Sequence, residues 1–401
     1  MKFSIERKLI SEALSMVQGL TNRKTTLAIT SDVLIKAEGS HITVTANDLE
    51  TVFQGRYEAE VESDGIISIS AKKLFEIVRD YPDSIVPVNE VENRWIEIGE
   101  GNIQYHIVSS DYENFPEHPV IEDIQFVEME SGVLKKMAEI AASINFSQEE
   151  KRPYVLGALL EKTEVQVKAT QDKEAQGSDN QSNENKNKDY QNNEDQIKPV
   201  LRIVSTDSKR LYTLDTPYSG NLEIDEHGII IPKKGLSELG KFLSNVGNVK
   251  IGIKNNHFIV TKDDESIMIK LLEGDYPDYR RVLNIGGFTA IDMNRAMFLM
   301  MMKRMSILVS DDYKSVILNF VENKLTATVT NPEIGESKEE LAIGYTGDGV
   351  ESAFNPKYFI DALSALKGEN IVVSIKDKRN PCIIKGNDDM NFICAIMAMS
   401  V

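Results

Sequence analysis

The chain has 401 residues, too many for a single small core, and its length predicts two to four domains of about 100 to 200 residues each. Its 41% hydrophobic and 27% charged residues are typical of globular proteins and exclude a fibrous or wholly disordered chain. The formal net charge of −18 excludes a protein that coats nucleic acid with its whole surface, although it leaves room for a locally basic face.

The N-terminal segment MKFSIERKLI carries charges and lacks the apolar core of a signal peptide. The longest apolar run, Ala296 to Met302, is far too short to cross a bilayer. We therefore expect a cytoplasmic protein without a membrane partner.

A long repeat organises the chain. The segments ISISAKKLFEIV, IIIPKKGLSELGKFL and AFNPKYFIDALSAL each contain an extended run, then Ala or Pro, then Lys, then an amphipathic helix. Each is followed by paired alternating runs and preceded by another helix and hairpins. We predict an α+β fold of three repeated domains, 1–125, 126–284 and 285–401, each ordered helix, strands, helix, strands. Chance similarity among three generic α+β domains is the alternative.

The predicted helices carry the positive charge of the chain. Segments 5–18, 71–79, 131–142, 232–243, 291–305 and 356–367 have net charges of 0, +2, +1, +2, +2 and +1, so these helices carry +8 and the remainder −26. This partition is compatible with a basic helical lining inside an acidic exterior. Ordinary solvated lysines on helix surfaces would give the same numbers.

A polar insertion interrupts the middle domain. Residues 168–198 are rich in Asn, Gln and charged residues and contain few apolar ones, so the segment cannot bury enough surface to offset its ordering entropy. We predict a disordered loop that interrupts a hairpin.

The segment STDSKRL at 205–211 combines hydroxyls, a carboxylate and cations, and raises the question of catalysis. The histidines are scattered without metal-ligand spacing, and no phosphate-binding loop or metalloprotease motif is present. Cys382 and Cys394 lack CxxC spacing and are predicted to be buried, reduced thiols. We therefore predict neither a cofactor nor a metal site. An enzyme that uses Asp207 and Lys209 is the competing interpretation.

Several motifs together carry a resemblance: MKFSIERKLI, STDSKRL, EGDYPDYRRVL at 273–283, FNPKYFIDALSALK at 354–367 and the ending IMAMSV. With these, the chain outside 168–198 resembles the bacterial DNA polymerase III beta subunit family, the replicative sliding clamps. The resemblance implies a head-to-tail homodimer whose six domains form a ring around duplex DNA, with helices lining the hole. It also implies a non-catalytic processivity factor that recruits the replicative polymerase subunit, the clamp loader, other DNA polymerases and repair proteins. A monomeric peptide-binding adaptor without a ring is the alternative.

The resemblance implies three sets of site residues. A groove between the second and third domains would bind short motifs with Gln at one end and Leu-Phe at the other, through Val155, Thr206, Ser208, Arg210, Leu211, Pro277, Arg281, Val282, Tyr313, Asn355, Tyr358, Met397 and Met399. In it, Arg210 and Arg281 would hold the peptide at the rim. DNA phosphates would contact Arg23, Lys24, Arg152 and Tyr154. The dimer interface would include Tyr105, Ile107, Ile307 and Leu308.

This chain departs from the family pattern at several of these positions. Ser208 and Lys209 replace a commoner Gly-His pair, and Pro153 replaces an aromatic residue. A proline and a basic residue that are frequent near the C-terminus of the family are also missing. The differences at Ser208, Lys209 and the C-terminal ending predict altered partner preference, whereas Pro153 affects the predicted DNA contact of Arg152 and Tyr154.

Overall fold

The computed structural model describes residues 1–22, 27–119, 122–145, 150–167, 196–386 and 391–399. Its elements fall into three successive units. The first comprises β1 Lys2–Glu6, α1 Arg7–Thr21, β2 Asp32–Glu38, β3 His41–Asn47, β4 Thr51–Glu58, β5 Glu60–Ser63, β6 Gly65–Ser70, α2 Ala71–Asp80, β7 Ile85–Glu90, β8 Trp95–Glu100 and β9 Ile103–Val108. The second comprises β10 Val127–Glu130, α3 Ser131–Ala142, α4 Pro153–Leu156, β11 Gly157–Val167, β12 Gln196–Thr206, β13 Arg210–Pro217, β14 Ile229–Pro232, α5 Lys233–Phe242, β15 Asn248–Lys254, β16 His257–Lys262, β17 Glu265–Lys270 and α6 Arg280–Leu283. The third comprises β18 Thr289–Asn294, α7 Arg295–Met305, β19 Val316–Val321, β20 Lys324–Asn331, β21 Gly335–Ala342, β22 Val350–Phe354, α8 Pro356–Ala365, β23 Asn370–Ile375, β24 Cys382–Gly386 and β25 Phe392–Ile396.

Each unit opens with a short strand rather than with the predicted helix. The helix expected from residue 5 begins at Arg7, and the helix expected from residue 291 begins at Arg295. The preceding residues alternate, because Phe3 and Ile5 are buried while their neighbours are not. Period-2 burial of this kind is the signature of a strand. The prediction was wrong there because the apolar spacing of the helix extends by chance into the strand.

Two sheets run across the boundaries between units. One has the strand order β10-β15-β16-β17-β4-β3-β2-β6, and the other has the order β14-β11-β12-β13-β25-β24-β23-β18. The crossings are antiparallel pairs, β4 with β17 and β13 with β25. Successive units are therefore joined by backbone hydrogen bonds as well as by side-chain packing.

One helix pair packs in each unit, α1 with α2, α3 with α5, and α7 with α8. The buried face of α1 is formed by Ile10, Leu14 and Val17, at the i, i+4, i+7 spacing of an amphipathic helix. The remaining faces carry much of the positive charge counted from the sequence. This threefold arrangement confirms the predicted repeat.

The predicted hairpins are present. Asn255 and Asn256 both have left-handed φ angles, 49° and 60°, in the turn between β15 and β16, a conformation that asparagine tolerates. Strands β11 and β12 pair in antiparallel register, as expected for a hairpin interrupted by an insertion. The insertion is shorter than predicted, since residues 196–198 belong to β12. The disorder predicted for 168–195 lies outside the described residues.

Both cysteines are buried free thiols, as predicted. They lie in the central part of a sheet, on the adjacent strands β24 and β25. Within the described ranges, no helix is long and apolar enough to span a membrane.

Candidate functional site

The turn between β12 and β13 is held by its own polar groups. The Thr206 hydroxyl donates to the Arg210 carbonyl oxygen at 2.7 Å. Asp207 Oδ1 accepts the backbone N–H groups of Lys209 and Arg210, both at 2.9 Å. Ser208 has a φ of 70°, in the left-handed region. The Thr206 hydroxyl and the Asp207 carboxylate are therefore engaged in shaping the turn.

Arg210 joins the turn to the third unit. Its guanidinium pairs with Asp207 at 3.1 Å and with Asp361 of α8 at 2.6 Å, and lies 4.6 Å from the centre of the Tyr358 ring. The residue is only 3% exposed. The prediction that Arg210 lies at the rim and holds a ligand is therefore wrong, because its donors are already directed to carboxylates of the protein. It acts instead as a support beneath Tyr358.

We expect Arg210→Met to destabilise the protein by about 2 to 4 kcal/mol, because it leaves Asp207 and the half-exposed Asp361 without their shared cation. Chemical unfolding would measure the change. The matched control is Arg281→Met: Arg281 pairs with Asp278 in an exposed contact, so its loss should cost about 0.5 kcal/mol or less. Equal effects of the two substitutions would contradict the supporting role of Arg210.

A cavity of about 580 Å³ opens beside this support. Of the predicted groove residues, Ser208, Asn355, Tyr358, Met397 and Met399 line it. The sequence interpretation missed the other lining residues, which are Lys209, Val309, Ser310, Asp311, Lys314, Lys357 and Ala398. In the loop 309–314 the resemblance marked Tyr313 alone, and no motif marks its other residues.

Other predicted groove residues lie outside this cavity. Leu211 and Val282 belong to an apolar cluster with Leu159, Val204 and Tyr279. Leu211 is buried and Val282 half-buried, so the cluster is a small core, and its Leu211 lies two residues after Lys209 of the cavity.

Among the remaining predicted positions, Val155 is buried at α4, and Thr206 is buried within the turn. Pro277, Arg281 and Tyr313 are exposed. The structure thus places part of the predicted set in the lining of one cavity. The other predicted residues are buried in the protein or exposed on its surface outside the cavity lining.

A buried polar network fixes the segment 273–283 that carries three of these residues. The Tyr279 hydroxyl donates to Glu161, and Arg280 pairs with the same carboxylate at 2.8 Å. Arg202 donates to the Tyr279 oxygen at 3.2 Å and pairs with Asp215 at 2.6 Å. Burial raises the pKa of Tyr279 to about 12. The network anchors the PDYRRVL motif to β11, β12 and β13, and sequence reasoning did not find it.

The C-terminal segment crosses the site in extended form. The Met397 N–H donates to the Lys209 carbonyl oxygen at 2.9 Å, and the Met399 N–H donates to the Ala353 carbonyl oxygen at 2.8 Å. These bonds hold the segment between the turn and β22. Both methionine side chains are half-buried, and methionine adapts readily to differently shaped ligands.

Lys233, at the start of α5, lies under the turn. Its ammonium donates to the Thr206 carbonyl oxygen at 2.9 Å, and the residue is 2% exposed. Burial lowers the pKa of Lys233 to about 8, against an ordinary value of 10.5.

This lowered pKa predicts a pH-dependent stability difference between the native chain and Lys233→Met. Between pH 8 and 10.5 the unfolded chain holds the proton that the folded chain has lost, so the contribution of Lys233 to unfolding free energy rises with pH. From pH 7 to 9.5 the stability of the native chain should increase relative to Lys233→Met by about 1 to 2 kcal/mol. Urea unfolding at the two pH values tests this, with Lys234→Met as the control at an exposed neighbour. A constant difference would contradict it.

Of the predicted DNA contacts, Arg23 and Lys24 lie outside the described residues. Arg152 donates to the Tyr154 hydroxyl at 3.0 Å and to Ser208 Oγ at 3.3 Å, so it borders the cavity. It also pairs with Glu150 at 2.7 Å, and this hydrogen-bonded pairing lowers the pKa of Glu150 to about 2.

The predicted interface residues lie in the first and third units. Tyr105 and Ile107 are on β9, an edge strand, on the same side of the sheet as the buried residues of β8. Tyr105 is 40% exposed and Ile107 is half-buried. Ile307, just after α7, is 73% exposed, and Leu308 is half-buried. A single exposed aliphatic side chain is common on protein surfaces. Here, however, exposed Ile307 of the third unit is accompanied by the open edge strand β9 of the first unit.

Comparisons with known proteins agree with this threefold layout. The sequence matches family models for the N-terminal domain of the DNA polymerase III beta subunit at residues 1–119, for the central domain at 190–278 and for the C-terminal domain at 280–400. It is 26% identical to the beta sliding clamp of Pseudomonas putida, with 100% of both proteins covered. It is 27% identical to that of Chlamydia pneumoniae, covering 100% of this chain and 99% of the relative.

Solved structures give the same result for the fold. The DNA polymerase sliding clamp from Pseudomonas aeruginosa with ligand matches with a TM-score of 0.83 at 25% identity, and 100% of both chains is covered. A DNA polymerase sliding clamp from Caulobacter crescentus shares the fold at 23% identity, with a TM-score of 0.85 and the same coverage.

Proposed function

Because the chain belongs to the DNA polymerase III beta subunit family, the bacterial sliding clamps, we propose that two copies form a ring that encircles duplex DNA. The ring tethers the replicative polymerase to its template. The observation that carries this proposal is the threefold unit, whose members are joined by sheets that cross the unit boundaries. The other two sheets end in exposed edge strands, β9 in the first unit and β21 in the third.

Closure of the ring needs a head-to-tail contact between the first unit of one copy and the third unit of the other. Such a heterologous contact closes only when its rotation permits, and a ring of six similar units from two chains is the closed arrangement that we propose. Tyr105 and Ile107 supply apolar side chains next to one edge, and Ile307 and Leu308 supply them after α7. Two open edges of this kind would otherwise be sites of uncontrolled pairing.

DNA would be held weakly and without sequence preference. The chain has a net charge of −18, so tight binding over its whole surface is excluded, whereas the helices carry positive charge. Phosphate contacts from such helices position a duplex without reading its bases and allow sliding. We assign Arg23, Lys24, Arg152 and Tyr154 to this contact.

The proposed role is topological and involves no chemical step, cofactor or metal. A threaded ring turns polymerase rebinding into an intramolecular event at high effective concentration, so processivity rises without strong DNA affinity. In the portions of the chain that the structure describes, no cluster of three His, Cys, Asp or Glu residues could hold a metal ion. The site of action would be the cytoplasm, where bacterial DNA is replicated.

The cavity beside Tyr358 would be the docking site for partners. Its half-buried methionines, the Tyr358 ring and the adjacent Leu211 and Val282 cluster suit a short peptide with a Leu-Phe pair. The replicative polymerase subunit, the clamp loader, other DNA polymerases and repair proteins would bind in turn. Ser208 and Asn355 also line this cavity. The remaining groove positions, Val155, Thr206, Pro277, Arg281 and Tyr313, would surround the site, with Arg210 as its support.

A monomeric peptide-binding adaptor is the second candidate, because the cavity is formed within one chain and does not need a partner copy. Native mass distinguishes the two, since the ring requires twice the chain mass of 45.0 kDa.

Primer extension on a singly primed circular template tests the function. With the organism's polymerase, clamp loader and ATP, addition of the chain should lengthen the products made in a single binding event. Unchanged product length, with a loader whose ATPase responds to primed DNA, would reject the tethering role.

A further inference from the structure

A second cavity, of about 490 Å³, adjoins the C-terminal segment. Ala398 and Met399 line both cavities, so the segment is a shared wall. The far side is formed by the turn after β23, which contributes Lys378 and Arg379, and by Glu351 of β22.

The two cavities have an excess of positive charge in a strongly acidic chain. Lys209, Lys314 and Lys357 line the first, with Asp311 as the acidic residue, and Lys378 and Arg379 line the second, with Glu351. All five cations are exposed, and none forms an ion pair with another residue in the described part of the chain. Their charges are therefore available to a ligand.

We propose that the second cavity binds acidic residues that flank the docking motif of partner proteins. This rests on the proposed function, because the motif itself would occupy the first cavity. A peptide fits the observations better than a nucleic acid does, since carboxylates of the protein are interspersed among the cations and the shared wall is a methionine. Charge complementarity at a rim of this kind speeds association and selects partners.

The arrangement also gives the peptide a direction. In the proposed complex the Leu-Phe end of the motif lies toward Leu211, which follows the cavity-lining turn residues Ser208 and Lys209, and its Gln end lies toward Met399, which lines both cavities. Residues that precede the Gln would then pass over Met399 and reach Lys378 and Arg379. Acidic residues before the Gln should therefore strengthen binding more than the same residues after the Leu-Phe pair.

Fluorescence polarisation with three labelled synthetic peptides tests this on the full-length protein. One core motif, with Gln first and Leu-Phe last, is preceded by glutamates, followed by glutamates, or flanked by glutamines. At low salt we expect the first peptide to bind about 3- to 10-fold more tightly than the glutamine-flanked one, as expected for several exposed charge pairs. The advantage should shrink as salt rises. An equal gain for glutamates on either side overturns the assigned direction and the role of the second cavity.

Two double variants test whether Lys378 and Arg379 cause the tighter binding of the peptide with preceding glutamates. Lys378→Gln with Arg379→Gln should abolish the advantage of preceding glutamates and leave the glutamine-flanked peptide unchanged. The charge-matched control, Lys36→Gln with Lys250→Gln, removes exposed lysines from β2 and β15, and should retain the advantage. If both variants retain it, the second cavity is not the binding site.

The outcomes separate this inference from the function on which it rests. If the glutamine-flanked peptide binds and glutamates add nothing, the acidic preference is wrong and the groove stands. If no peptide binds, the groove itself is wrong. If Lys378→Gln with Arg379→Gln weakens binding of a DNA oligomer and not of the peptides, the patch is a nucleic-acid surface, which also overturns the inference.

Discussion

Ile307→Asp is expected to convert the proposed dimer into monomers at micromolar concentration and to abolish the proposed retention on circular DNA. Ile307 is 73% exposed in the isolated chain, so the substitution should not disturb the fold. In the proposed ring the new carboxylate would be buried without a cation against Tyr105 or Ile107 of the other copy. An unpaired charge in an interface should lower the association constant by about 100-fold or more.

Analytical ultracentrifugation measures this directly as a change in mass from twice 45.0 kDa to 45.0 kDa. The control is Val246→Asp, which places the same charge on a 77% exposed residue of the second unit. If both variants remain dimeric, Ile307 lies outside the interface. If the native chain is itself monomeric, the adaptor function replaces the ring.

Met397→Ala with Met399→Ala is expected to weaken binding of a motif peptide by about 30- to 900-fold, because each truncation removes apolar contact worth about 1 to 2 kcal/mol. Backbone hydrogen bonds of the segment to Lys209 and Ala353 do not depend on these side chains, so the walls of the cavity should stay in place. The mass of the proposed dimer should be unchanged, since Met399 pairs with Ala353 of β22, at the opposite edge of the sheet from β21.

The composition-matched control replaces two exposed methionines of α7, Met297 and Met300, with alanine. Isothermal titration calorimetry with the three proteins and one peptide gives the comparison. Comparable losses in the variant and the control would mean that the methionines of the C-terminal segment do not contact the peptide.

The repeat and the hairpins could be read from the sequence because they depend on local periodicity and turn chemistry. The strands that open the units could not, since Ile5 fits both the helical spacing of α1 and the alternation of β1. Sheets that cross from one unit to the next, such as β13 with β25, arise from pairing over long sequence separations that leave no local signal.

Site residues could be predicted where a sequence motif marks them. They could not be predicted where contacts between distant segments determine their position. Ser208, Tyr358 and the methionines of the ending came from recognisable segments. The burial of Arg210 follows from Asp361, a residue of another unit, and its rim position was therefore wrongly predicted. Lys314 and the second cavity followed from the packing of the third unit alone.

The junction between the first and second units repeats the backbone frame of this site. The Lys270 N–H donates to the Glu50 carbonyl oxygen at 2.8 Å, as Met397 does to Lys209, and Leu49 has a left-handed φ of 76°, as Ser208 does. The side chains differ.

At the helix position that Tyr358 occupies in α8, two residues after the helix start, α5 has Gly235. A Cβ atom at Gly235 would lie 2.4 Å from Ile269 Cγ2, so this junction has no space there for an aromatic side chain. The repeat therefore provides a similar backbone arrangement at both junctions, whereas individual side chains determine where a groove can form.

The most direct test of encirclement is retention of labelled protein on nicked circular DNA, loaded with the organism's clamp loader and ATP at moderate salt, before and after the circle is linearised. A threaded ring stays on the circle and runs off the ends of the linear form, which is the result we predict. Equal retention on both forms, or none from a loader that is active on primed DNA, would contradict the ring.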